Sequence, residues 1–480
     1  MRGPGVGKRS ISRLFAVGLL LAGCASAQKP QIYVDNVNGA SPASGSPEAI
    51  GPISALATCH TNGASSATIQ WASNGLAAAS VPQDGSAILF LATASGRQFT
   101  QINSYTANTV VVQNNFNIAL ASAVDCAVGG RLLSVATRLA LDMEGGSAGW
   151  QVVIVATGIN HTWTAMRNSS AATAGAGWFG LASGGVRPVI DCNFQPGTCL
   201  NAGAAEVVGL QFRNTNPTKT GTLGIDGDVN FSLRDSIIGG ADASESWAIG
   251  VDAGGLSSIG ASVIGSLIQN NEVGILSSGT DFSLGVFANV FRGNDVGLQT
   301  DGNTQNAMTV YGNVFWENGV GVELGNNDYN YYNALLFNTF HDNSIAGVSI
   351  ADPGGIFNLL FASNLLTNNT VGVDYSGAAR NIEREAAGIL SNCYGLGPTA
   401  NGSNVDGFVL GEDPINVNPQ YVNADNGDFT PLNRDVAFRA WPPGLDGLTP
   451  RFYVGTITES EVRCGAIQPG GVGSFSNVGI

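Results

Sequence analysis

Between Ser266 and Tyr375 the apolar and polar positions recur in one short pattern. It reads Ser or Asn, any residue, an apolar residue, two variable residues, Asn, and then an apolar residue, Gly and an aliphatic. The copies are SLIQNNEVGI from Ser266, NVFRGNDVGL from Asn289, NVFWENGVGV from Asn313, NTFHDNSIAGV from Asn338 and NLLTNNTVGV from Asn364. Their glycines, Gly274, Gly297, Gly321, Gly347 and Gly372, step by 23, 24, 26 and 25 residues. Gly224 and Gly250 extend the series toward the N-terminus. A fixed period of this length predicts a solenoid. Short Val-, Ile- and Phe-rich runs broken by Asn and Gly predict strands and tight turns, because Asn and Gly tolerate left-handed backbone angles. One coil per repeat, each strand pairing with the next coil's, makes a parallel β-helix.

Strand parity sorts the positions within each coil. Ile268, Phe291, Phe315, Phe340 and Leu366 share one register and are expected to stack in the core. Asn289, Asn313, Asn338 and Asn364 lie two residues earlier and are expected to point inward. Asn271, Asn294, Asn318, Asn343 and Asn369 fall at a turn. Internal amide ladders that satisfy turn backbone are the expected role of these asparagines. One residue after each core position, Gln269, Arg292, Trp316, His341 and Thr367 are expected to face outward in one column.

On these repeats the chain resembles bacterial right-handed parallel β-helix proteins of the pectate-lyase-like superfamily, over roughly Leu132 to Gln468. The resemblance implies an all-β fold and no single function, since that superfamily holds lyases, hydrolases, adhesins and coils without chemistry. Ile32-Tyr33-Val34-Asp35 resembles its opening strand, and NPQYVNADNGDFTPL with CGAIQP at Cys464 resembles its closing segment. Arg434-Asp435-Val436-Ala437 departs from the usual form there. From about Ala67 to Leu133, short strands with turn signals predict a small inserted β module. Leu132, Leu133, Val135, Ala136, Leu139 and Ala140 mark a short helix ending near Gly145-Gly146, expected to cap the open end of the first coil. The domain reading is therefore 1–27 leader, 28–130 opening strand and β module, 131–410 capping helix and β-helix, and 411–480 closing segment.

The leader changes where the protein is expected to work. Four bases precede the apolar run Leu14 to Gly23, and Leu21-Ala22-Gly23-Cys24 resembles a lipobox with Cys24 as the acylated residue. A signal peptide cut after Ala25-Ser26-Ala27 fits equally. Both readings give an exported protein, with a lipid anchor at Cys24 as its one expected membrane contact. The leader carries four of the chain's 20 bases and none of its 35 acids, so without it the charge falls from −15 to about −19. Such a surface repels nucleic acid and anionic membranes. Cys192 and Cys199, in CNFQPGTC, are expected to form a disulfide, with Cys59–Cys126 and Cys393–Cys464 as regional pairings.

Candidate chemistry falls on the outer face. Arg292, Trp316 and His341 in one column, with Glu317 and Asp342 beside it, offer an apolar platform and polar groups for a sugar. The expected partner is a polysaccharide or cell-surface glycan, and an ordinary solvated face is the alternative. If the protein is a hydrolase or lyase, Glu317, Asp342 and His341 are the candidate catalytic groups. A second outward column holds Leu276, Gln299, Glu323, Ser349 and Asp374. There Glu323 and Asp374, about 9.6 Å apart by strand spacing, approach an inverting carboxylate pair. The loop from Gly325 to Asn333 adds Tyr329, Tyr331 and Tyr332 as candidate substrate contacts, and Asn326, Asn327 and Asp328 as candidate oxygen ligands for Ca²⁺. Between Gly260 and Gly377 the sole Lys or Arg is Arg292, which fits a neutral glycan better than a polyanion.

Overall fold

The computed structural model describes most of residues 151–374 and 418–433, together with strands within 31–132 and 388–416. Its main body is a parallel β-helix of three long sheets of 12, 11 and 10 strands, to which each coil contributes one strand apiece. We call them the first, second and third sheets in the order the chain visits them. Strands of the second sheet in the regular coils are only three residues long, such as Val290–Arg292, Val314–Trp316 and Thr339–His341.

Two left-handed residues bracket each of these short strands. Gly265, Ala288, Gly312, Phe337 and Ser363 precede them, while Asn270, Gly293, Glu317, Asp342 and Asn368 follow, all with φ between 53° and 66°. Each of these ten is followed directly by Asn or, once, Ser266. The turn is affordable for residues other than Gly because that neighbour satisfies the backbone the bend exposes. In both ladders an Asn side-chain amide donates to the Oδ1 of the next coil's Asn at 2.7–3.1 Å. The same Oδ1 accepts a main-chain N–H at 2.9–3.1 Å. The second amide hydrogen goes back to a carbonyl of the preceding coil, as from Asn318 to Phe291 O at 3.0 Å. Both ladders are buried.

Between the ladders, the centre of each second-sheet strand points inward. Phe291, Phe315 and Phe340 stack there with centroids 4.6 and 5.0 Å apart and planes within 9°. Opposite them runs the glycine ladder. A Cβ on Gly274, Gly297, Gly321 or Gly347 would stand 2.4–2.7 Å from the next coil's glycine carbonyl. The repeated Gly is therefore a requirement of close approach between coils.

Gln31–Val34 pairs in parallel with Gln151–Val155 and with Arg131–Leu132, opening the first sheet. Between those strands the chain builds a closed six-stranded antiparallel barrel, from Ala57–Thr61 to Val124–Val128. This is the expected β module, begun ten residues earlier than its turn signals indicate. Leu132 lies in a strand, and the rest of the expected capping helix lies outside the described residues. Cys192 and Cys199 are bonded. Cys393 is disulfide-bonded with a partner outside the described residues. Cys59 is free and buried, which corrects its expected pairing with Cys126. Cys59 faces Val124 while Cys126 faces Ala57, a diagonal separation of roughly 7–8 Å that a disulfide does not span.

Candidate functional site

With its central residue in the core, a three-residue strand turns both ends outward, so the second sheet carries two outer columns. The later column runs Gln269, Arg292, Trp316, His341, Thr367 in unbroken register, as expected. The earlier one runs Gln211, Ile237, Leu267, Val290, Val314, Thr339, Leu365. It is largely apolar, and an apolar column on the outer face needs a cover.

That cover is a C-terminal hairpin, Tyr421–Asn423 and Asp428–Pro431, joined by a turn that closes on left-handed Gly427 at φ 77°. Phe429 packs edge-on against Trp316 at 5.5 Å and against His341 at 5.2 Å, and Tyr421 against His341 at 5.3 Å. Leu267, Val290, Val314, Trp316 and Phe429 form one buried cluster. The exposed aromatic platform expected at Trp316 and His341 is thus corrected: they are 2% and 7% exposed. His341 Nδ1 shares a 2.7 Å hydrogen bond with Thr367 Oγ1, which meets the Tyr421 hydroxyl at 2.9 Å. Burial lowers the His341 pKa, opposed by Asp342 and Asp425. Burial likewise raises that of Tyr421.

Glu317 and Asp342 occupy the left-handed turn position in successive coils and are exposed. Glu317 Oε2 accepts from Arg292 Nε at 3.1 Å, and the Arg292 guanidinium lies over the Trp316 ring at 4.2 Å. Arg292 is thereby held from two sides while its Nη1 and Nη2 bond no described residue. Glu323 and Asp374 stand on the third sheet with Ser349 between them in register. They belong to a face other than that of His341. Higher in the same column Asp226 pairs with Asp252, and burial with nearby Asp228 raises the Asp226 pKa. Tyr332 begins a strand of the first sheet. Tyr329, Tyr331 and the Asn326–Asp328 oxygens lie outside the described residues, as does Cys24. Among the described residues no three His, Cys, Asp or Glu side chains are grouped to hold a metal ion.

The hairpin stops short of the early coils, and there the face opens into a cleft of about 320 Å³. Ile237, Leu267 and Val290 lie along it, Trp316 closes one end, and Gln211, Gln269 and Arg292 supply polar groups. Gln269 Nε2 donates to Gly240 O at 2.7 Å, which fixes the side chain and leaves its Oε1 to accept. Beyond Gln211, Arg213 bridges Glu245 at 2.8 Å and Asp191 at 3.5 Å. Of the cleft residues, Gln269, Arg292 and Trp316 are legible from the repeat. The apolar column is missed when only the residue after each core position is read as outward, although the one before it has the same parity.

No family model matches the chain, and no curated protein matches it. Structural likenesses are to a periplasmic alginate epimerase (14% identity, 56% of this chain and 59% of that one, TM-score 0.23). Others are to the tailspike of an Acinetobacter baumannii bacteriophage in complex with capsular saccharide (9%, 76% and 66%, 0.18) and to a Pseudomonas phage tailspike (9%, 67% and 62%, 0.15). The chain spans under two thirds of the length of each. At these TM-scores the likenesses carry no argument, and the parallel β-helix rests on the strand register itself.

Proposed function

We propose that the protein is an exported polysaccharide-binding β-helix and that sugar binds in the cleft on the second sheet. The observation that carries this reading is the cleft's composition. Its apolar surface comes mainly from part-exposed Ile237 and exposed Ala241, with buried Leu267 and Val290 beneath, and it is flanked by a guanidinium held in place by Trp316 and Glu317 and by a carboxamide fixed on Gly240. Apolar area for ring faces beside a few oriented donors and acceptors suits a carbohydrate. Arg292, the only charged side chain among the described residues that line the cleft, is already balanced by Glu317, which supports an uncharged glycan. Export is supported by the leader pattern and by the Cys192–Cys199 disulfide, a bond that persists in oxidising compartments. Acylation of Cys24 is the anchored form of this proposal.

Binding without cleavage is favoured by the enclosure of His341 and the engagement of Glu317. A glycan array on the mature protein, with reducing-end release assayed on every hit, tests both points. The double variant Arg292→Ala/Gln269→Ala is expected to weaken binding roughly tenfold or more, from the loss of two hydrogen-bonding side chains. Its melting temperature should change little, since both side chains are part-exposed. Unchanged affinity in that variant removes the cleft as the site. Release of reducing ends would make the protein an enzyme, with Glu317, Asp342 and the Glu323/Asp374 pair the first carboxylates to replace by their amides.

A further inference from the structure

The hairpin that covers the aromatic column is attached differently from every coil beneath it. It forms a two-stranded sheet of its own. Its main-chain bonds from Gly427 N to Ala424 O, Leu432 N to Gln420 O and Asn433 N to Pro419 O stay within the segment. Among the described residues, the ring contacts that seat it on the solenoid are those of Phe429 and Tyr421 with Trp316 and His341, beside the contact between Tyr421 and Thr367. A lone two-stranded hairpin is marginal in water, so this one depends on its seat. At the centre of the seat is a histidine, the side-chain type whose ordinary pKa puts its charge change between pH 5 and 8.

The groove and the seat are also continuous. Val290 and Trp316 line the open cleft and belong to the cluster that buries Phe429. The hairpin's rings therefore occupy the far half of the same furrow. We propose that this hairpin is a displaceable strap, held closed while His341 is neutral and released when His341 is protonated, and that its release extends the cleft over Trp316, His341 and Thr367. The extension of the cleft rests on the sugar-binding reading, whereas the strap itself does not.

Among the described residues, the charged and titratable groups around His341 are Asp342 on its own turn, Asp425 and Tyr421 on the hairpin, and Glu317 with Arg292 on the two preceding coils. Asp342 and Asp425 favour the imidazolium, but burial outweighs them and the closed-state pKa lies below the ordinary value near 6.5. The neutral ring thus fits the closed state and the cation the open one. Closure is fully favoured above about pH 6.5 and weakens as pH falls below it, because the open state then binds the proton more tightly.

Hydrogen exchange followed by mass spectrometry on the full mature chain, at pH 7.5 and 5.0 with intrinsic rates corrected, reads the strap without any glycan. Amides of segment 420–433 are expected to lose protection by up to roughly tenfold per pH unit below about pH 6.5. Peptides spanning the Asn294–Asn318–Asn343 ladder should stay protected. In His341→Gln, which keeps a hydrogen-bonding side chain but no titrating group, the pH dependence should vanish. Equal protection of 420–433 at both pH values in the wild type overturns the proposal, as does loss shared equally by the ladder peptides. If the strap opens as expected but no array glycan binds at either pH, the sugar-binding reading fails and the strap stands.

Discussion

Two buried asparagines show how context sets the worth of one residue type. The Asn318 side chain makes four ladder contacts, accepting from Asn294 N and Nδ2 and donating to Phe291 O and Asn343 Oδ1. Replacing it with Ala strands several buried polar groups at once, so Asn318→Ala should cost about 3 kcal/mol or more. Asn333 lies between Met308 and Leu359 on the first sheet, equally buried, with neither amide atom hydrogen-bonded among the described residues. Asn333→Leu should instead stabilise the protein, by about 1–3 kcal/mol. Urea midpoints of the two variants measured side by side check the pair, and a shift of the same sign in both would contradict the ladder account.

At the scale of the element, the second sheet is a set of three-residue strands whose outer faces are split between solvent and hairpin. Trp316 separates the two regimes. An exposed platform residue would be replaceable at little cost, whereas a tryptophan packed under Phe429 is a core residue. Trp316→Ala should therefore cost about 3–5 kcal/mol by equilibrium unfolding and loosen the hairpin. A loss below 1 kcal/mol would restore the exposed reading. The coil, its two turns, the phenylalanine stack and both amide ladders were legible because each repeat states them again, and a 24-residue period leaves little freedom. The cover was not legible in that way. Its segment, NPQYVNADNGDFTPL, occurs once, so no period places it, and its docking partner is named only by the apolar residues before each core position. The cleft shares that fate: Gln269 and Arg292 stand in a readable column, while Gln211 and Ile237 come from early coils where the pattern is loose.

For the whole molecule, two kinds of order are joined. The solenoid is held coil to coil by ladders that need only the next turn, so its stability is close to a sum over neighbours. The barrel between Ala57 and Val128 enters between two adjacent strands of the first sheet and closes on itself, so its insertion leaves the helical register intact. The cleft sits where the repeats pass from irregular to regular.

Because the ladder asparagines from Asn271 to Asn369 each follow a left-handed residue, the chain can be cut and rejoined at those points like links of a bracelet. Asn289 and Asn313 are 24 residues apart and each follows such a residue, Ala288 and Gly312. Excising 289–312 would place Asn313 after Ala288 with both ladders in phase, shortening the rod by one strand spacing of about 4.8 Å. It would also set Gln269 directly against Trp316 and delete Arg292 from the wall of the cleft. A protein of this build therefore carries its length as a countable quantity, and a folded, shortened rod that no longer takes up the sugar would show that reach and recognition are set by different turns of one thread.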